Sequence, residues 1–175
     1  MTTGISKPVV GPRKLDLNSV NVSTGDGTLV IELTDTDFFD SVLVDQLTGN
    51  IGATTQGITV LAEGFIDPDN VEFGADADAL ASLTLGPFGP AAFAGTASAL
   101  FGPVASPYSL TQRVTITHGG AAATSFDFEL SATGSRVRAV PEPAAVALFG
   151  LGLAGLGLMW RRTTRPPTAR CTASR

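Results

Sequence analysis

Apolar and polar residues alternate most regularly between positions 108 and 131. Tyr108, Leu110, Val114 and Ile116 fall on one face, and Ser109, Thr111, Arg113, Thr115 and Thr117 on the other. A two-residue period places successive side chains on opposite sides of an extended chain, so this segment predicts a strand with one buried face. After His118-Gly119-Gly120 and a short run of Ala the period resumes, with Phe126, Phe128 and Leu130 set against Ser125, Asp127, Glu129 and Ser131. Two such runs joined by a short Gly-containing link predict an antiparallel hairpin of 108–117 against 125–132. The same period runs through Leu29, Ile31 and Leu33, through Ile58, Val60 and Ala62, through Leu83 and Leu85, and through Phe93, Gly95, Ala97, Ala99 and Phe101.

Turn chemistry separates these runs. Gly25-Asp26-Gly27, Thr48-Gly49-Asn50, Asp67-Pro68-Asp69-Asn70, Gly86-Pro87-Phe88-Gly89-Pro90 and Gly102-Pro103 each combine residues that accept or enforce turn backbone angles. Only an acidic, Ala-rich patch at 74–81 has helical character. Seven or eight short strands, each with one apolar face, bury themselves by stacking two sheets. The predicted fold is therefore all-β: a two-sheet antiparallel β-sandwich over 1–139, compatible with a jelly roll, followed by one C-terminal apolar helix.

The pattern changes abruptly at Val140-Pro141-Glu142-Pro143. From Ala144 through Leu148, Leu151 and Leu156 to Trp160 there is no charged residue, and Arg161-Arg162 follows. As a helix, 17 residues rise roughly 25 Å at about 1.5 Å per residue, near the lower limit for crossing a bilayer core. Apolar groups surround the whole circumference, which favours lipid over a water-facing helix. Trp160 suits the headgroup boundary, and the arginines suit the cytoplasmic side. Charge divides at the same place. Residues 1–139 carry 15 acidic and 6 basic groups, a net −9, whereas 140–175 carry one acid and five Arg, a net +4. Residues 163–175, Pro/Arg-rich and with Cys171, are expected to be a disordered basic extension.

The ordered set Val140, Pro141, Glu142, Pro143, the apolar span and Arg161-Arg162 closely resembles the PEP-CTERM protein-sorting tail of Gram-negative bacteria, over residues 140–162. The resemblance implies a signal at 141–143, a transient stay in the inner membrane through 144–160, and a stop at the arginine pair. It further implies processing near the Pro-Glu-Pro motif by an exosortase, an integral-membrane enzyme with a Cys nucleophile, and final residence at the cell surface or outside the cell. The body is more loosely similar to the β-rich secreted proteins that bear such tails, through Leu15-Asp16-Leu17-Asn18-Ser19-Val20 and Pro107-Tyr108-Ser109-Leu110-Thr111-Gln112. No activity comes with that similarity. Family tails finish soon after the basic pair, whereas this chain adds 163–175. Met1-Thr2-Thr3-Gly4 leads into strand-like sequence with no apolar signal core, so an upstream start is expected to supply the export signal.

Composition narrows the chemistry. One Cys allows neither an intrachain disulfide nor a Cys-based zinc site, and one His excludes a multi-histidine metal centre. A body of charge −9 repels phosphate, which argues against nucleic acid as a partner. His118 continues the row of Tyr108 and Ile116 where a strand meets Gly-Gly, which reads as a core row capped at the rim. No Gly-x-Ser-x-Gly elbow accompanies it. Clustered hard oxygens at Asp67/Asp69/Asn70, Asp76/Asp78 and Asp35/Asp37 with Asp40 suit Ca²⁺ in type, but none has EF-hand spacing. The expectation is therefore no catalytic residue, no metal and no cofactor. The function expected is a non-enzymatic surface or extracellular-matrix protein, with extracellular polysaccharide as a candidate partner. A Ca-dependent carbohydrate-binding module, or a hydrolase with an unrecognised site, is the alternative. With one Tyr and one Trp in the chain, and the Trp in the tail, no aromatic platform for sugar rings is evident.

Overall fold

The computed structural model describes residues 1–74 and 79–134. Nine strands occupy them: β1 (Thr2–Ile5), β2 (Lys14–Ser23), β3 (Asp26–Phe38), β4 (Val44–Thr55), β5 (Thr59–Asp67), β6 (Ala81–Phe88), β7 (Ala91–Val104), β8 (Tyr108–Gly119) and β9 (Ala122–Thr133). They form a five-stranded sheet in the order β1-β2-β9-β4-β7 and a four-stranded sheet in the order β3-β8-β5-β6. Every pairing is antiparallel. The pairs β2–β9, β3–β8, β4–β7 and β5–β6 are nested, like one long ribbon folded back at the β5–β6 connection. Wrapping that ribbon brings β9 against β4 and β8 against β5, and the two sheets close as a jelly roll. The all-β sandwich expected from the alternation is thus the observed fold. The expected C-terminal helix lies outside the described residues.

Most inward residues are those the alternation marks, except that Leu29 and Ile58, which it places in apolar rows, are exposed. Leu110, Val114, Ile116, Phe128 and Leu130 are fully buried and join Leu15, Leu17, Leu47, Val60 and Ile66 in one core. The sheets approach closely where glycine faces a large side chain. A Cβ at Gly49 on β4 would lie 2.8 Å from Leu83 Cδ1 of the opposite sheet, and one at Gly64 on β5 would collide with Leu130. Both glycines therefore act through the space they leave.

Two kinds of local expectation, a hairpin and two turns, are corrected. Segments 108–117 and 125–132 are not a hairpin: β8 lies between β3 and β5, and β9 between β2 and β4. The two strands face one another across the core, about 10 Å apart rather than about 4.8 Å. A two-residue period reports which side is buried and is the same for neighbours in a sheet and for strands stacked face to face. Gly120, at a φ of 148° that few other residues adopt, turns the chain from one sheet to the other. Thr48-Gly49-Asn50 is the middle of β4 and not a turn, and Gly102-Pro103 lies within β7. The patch at 74–81 ends in strand, with Ala81 opening β6; residues 75–78 lie outside the described residues.

Candidate functional site

The sorting-signal residues Val140, Pro141, Glu142, Pro143, Arg161 and Arg162 lie outside the described residues, as do the apolar positions Ala144, Leu148, Leu151, Leu156 and Trp160. Among the described residues no helix is long and apolar enough to cross a membrane. The last strand among the described residues, β9, ends at Thr133.

An open concavity lies on the outer face of the five-stranded sheet. Strand register builds it from two cross-strand rows. Asp16, Glu129, Asn50 and Thr96 lie side by side across β2, β9, β4 and β7, and Asn18, Asp127, Gly52 and Ala94 form the next row. Asn50, Gly52, Thr96, Asp127 and Glu129 line an open groove of ≈ 670 Å³. A Cβ at Gly52 would meet nothing within 4 Å, so the groove is unfilled at that point.

Hydrogen bonds fasten its polar side chains. Thr96 Oγ1 donates to Asn50 Oδ1 at 2.9 Å, Asn18 Nδ2 donates to Asp16 Oδ1 at 3.1 Å, and Lys14 Nζ pairs with Glu129 Oε2 at 2.9 Å. Partial burial pushes the Asp16 carboxyl above the ordinary carboxylate range. Its hydrogen bond to Asp127 and the charges of Asp127 and Glu129 push the same way, against the opposing effect of Asn18. A pKa raised by folding means that the protonated form is the one the fold favours, so Asp16 costs stability as pH rises through its folded pKa. Asp16→Asn is therefore expected to raise the melting temperature at neutral pH. The gain should shrink in acid, where the native carboxyl is protonated. Thermal melts of both proteins across pH 4 to 8 (a range of about the usual carboxylate titration and above) check this.

His118 is buried at the sandwich rim. Its Nε2 lies 2.9 Å from Thr124 Oγ1, which lies 2.6 Å from Thr55 Oγ1, and that hydroxyl accepts the Gly57 N–H at 2.9 Å. The ring thus ends a chain of hydroxyls beside a small cleft of ≈ 190 Å³ that includes Asn21, Ser23 and Thr28.

The acidic turns are divided among separate partners. Asp35 pairs with Lys7, Asp40 with Arg13, and Asp37 with Asn70, whose Oδ1 accepts the Asp37 N–H and whose Nδ2 donates to Asp37 Oδ1, both at 2.8 Å. Asp67 Oδ1 accepts the Asp69 N–H at 2.8 Å, which closes the turn. Among the described residues no group of three or more His, Cys, Asp or Glu side chains is arranged to hold a metal ion. Asp76 and Asp78 lie outside them.

Gln112 was not assigned to a face by the alternation, and Ser109 and Thr111, placed on the outer row, are buried. Gln112 interrupts the apolar row of β8, is fully buried, and reaches across the core to donate from Nε2 to Phe128 O at 2.6 Å. Its even-numbered place in the row was the available signal. Tyr108, stacked on Phe38 with ring centroids 5.6 Å apart, has its phenol pushed up to about 12 by burial and by the charge of Asp40, against the opposing charge of Arg13.

No curated protein matches the sequence. Among solved structures the chain is similar to TmCBM61 in complex with beta-1,4-galactotriose, at 10% identity and a TM-score of 0.40, covering 76% of this chain and 88% of that one. It is also similar to a structure described by the promiscuous specificity of carbohydrate-binding modules from the beta-sandwich super family. That match has 13% identity and a TM-score of 0.37, and covers 77% of this chain and 52% of that one. At residues 139–162 the chain matches the family model of the PEP-CTERM protein-sorting motif, so it carries a PEP-CTERM sorting signal directly after its β-sandwich body.

Proposed function

We propose that this chain is a non-enzymatic component of the cell surface or extracellular matrix, delivered by its C-terminal signal and released from a transient stay in the inner membrane by an exosortase. The observation that carries the reading is the sorting motif at 139–162, placed a few residues beyond a body whose last strand ends at Thr133. A folded body followed in sequence by Pro141-Glu142-Pro143, a short apolar span and an arginine pair has the order that such processing needs. The test is fractionation of the exported full-length chain in two hosts. With the exosortase, trimmed body is expected outside the inner membrane. Without it, full-length protein should remain in the inner membrane. Equal release from both hosts overturns the reading.

The groove favours extracellular polysaccharide as the partner of the body. Asn50, Thr96, Asp127 and Glu129 offer amide, hydroxyl and carboxylate groups to a polyhydroxylated chain, and the groove is open to solvent. Hydrogen bonds to charged groups contribute about 1.5–3 kcal/mol each. The double variant Asn50→Ala/Asp127→Ala is therefore expected to weaken retention on the host's own matrix polysaccharide by about tenfold or more. Unchanged retention removes the groove from the binding surface. A hydrolase acting at the same carboxylates, the alternative reading, predicts shortening of that polysaccharide on incubation.

A further inference from the structure

Every open sheet has edges whose unpaired N–H and C=O groups can capture another strand, and proteins blunt them with short strands, charges or proline. Three of the four edges here are blunted. β1 has only four residues, β6 has eight and carries Pro87, and β3 carries Asp26, Glu32, Asp35 and Asp37. β7 is different. It runs for 14 residues, has no charged side chain, and reaches Pro103 only one residue before its end. Its strand partner among the described residues is β4, on one side. No loop or turn backbone hydrogen bond among the described residues involves it.

The order of residues along β7 says what fits that edge. Around Ala97 the strand is a near-palindrome: Thr96 matches Ser98, Gly95 matches Ala99, Ala94 matches Leu100, and Phe93 matches Phe101. Phe93, Ala97, Ala99 and Phe101 pack against the core, while Ala94, Thr96, Ser98 and Leu100 point outward, Leu100 with 80% exposure. Two copies of β7 laid antiparallel about a two-fold axis at Ala97 set inward residues opposite inward residues, and Phe93 opposite Phe101 of the second copy. Register is specified where a slip misplaces side chains. Moving the axis to Thr96 sets Phe93 against Ala99, and moving it to Ser98 sets Gly95 against Phe101. Cross-strand aromatic pairs and matched small hydroxyls are favourable neighbours, and a two-fold axis requires this kind of self-complementary patch.

We propose that β7 is a self-association edge. Two copies pair β7 to β7 about Ala97, joining their five-stranded sheets into one continuous ten-stranded sheet. This inference is independent of the sorting reading, because it rests on the body alone.

The test uses the full-length chain in mild detergent, with mass measured by sedimentation equilibrium. The parent is expected to be a dimer. Thr96→Lys/Ser98→Lys sets lysines directly opposite lysines at the proposed register while leaving the tail unchanged, and is expected to be monomeric with a cooperative thermal melt. A monomeric parent overturns the proposal, whether β7 is left free or is taken by another segment or partner. A dimer that survives the lysine pair also overturns it and assigns association to the tail. Should the lysine variant fail to melt cooperatively, Thr96→Cys/Ser98→Cys in a Cys171→Ser background decides. Oxidation is expected to give a covalent dimer from the double variant and little from either single one. Equal cross-linking by all three overturns the register.

Discussion

Replacing Pro141-Glu142-Pro143 by three alanines in the exported chain is expected to abolish trimming, so that full-length protein accumulates in the inner membrane. The span of 17 apolar residues that follows is untouched by this change and should insert as before. As a helix it is only just long enough to hold position, and Gly150, Gly152, Gly155 and Gly157 make it a weaker anchor than leucine would. Such a segment can halt translocation at Arg161-Arg162 and still be surrendered to an enzyme acting just before it. Proline lacks an amide donor and biases the residue before it away from helix, and a protease-like active site reads its substrate in extended form. Alanine restores donors and helix propensity, which would let a helical span continue backward through the recognition segment. Replacing Arg161-Arg162 by Ala-Ala should do the reverse, weakening retention before processing. Intact mass combined with membrane fractionation separates these outcomes. Efficient trimming of the triple-alanine variant would make the Pro-Glu-Pro segment an ordinary linker.

Ile116→Asp is expected to unfold the body, whereas Thr115→Asp, one residue away, should be mild. Ile116 is 1% exposed and packs among Val60, Val114 and the other core residues. An unpaired carboxylate there loses its water with nothing to replace it, a cost of about 3 kcal/mol or more. Loss of the apolar side chain adds roughly 2 kcal/mol. Set against a total stability of about 5–15 kcal/mol for a domain, the sum is large enough to depopulate the native state. Thr115 lies on the outer face of β8, opposite Val30 and Leu61, and is only partly buried. A carboxylate there keeps contact with water and should change stability by about 1 kcal/mol or less. Thermal or urea unfolding of the two variants gives the comparison, and equal midpoints would refute the assignment of faces.

The groove illustrates why part of the candidate site was hidden from the sequence. Asp127 and Glu129 were visible as the outer row of one strand. Asn50 was misread as part of a turn, because Thr48-Gly49-Asn50 has turn composition. Gly49 serves instead to let Leu83 and Phe128 approach. Asp16 and Asn18 stood out only within a string resembling other secreted proteins, not as neighbours of Glu129 and Asp127. These residues meet because β2, β9 and β4 are neighbours in one sheet, although other strands separate each from the next along the chain. The sorting tail lies at the opposite extreme. Its signal is local, ordered and contiguous, so it could be read in full from positions 140–162.

Side-chain alternation along the chain was sufficient to say that the body is a two-sheet sandwich and to name most of its inward residues, since burial on one side leaves a period of two whatever the neighbour is. Tertiary structure alone decided who the neighbours are. The rows of β8 and β9 looked like two halves of a hairpin and instead face each other across the core, because nested long-range pairing gives β8 two partners in β3 and β5 and gives β9 two in β2 and β4. Each strand thereby satisfies backbone hydrogen bonds on both sides, which a lone hairpin cannot do. The same wrapping leaves β7 at an edge and opens the groove beside it. A one-dimensional pattern records how much water each side chain sees. It carries no record of which distant strand excludes that water.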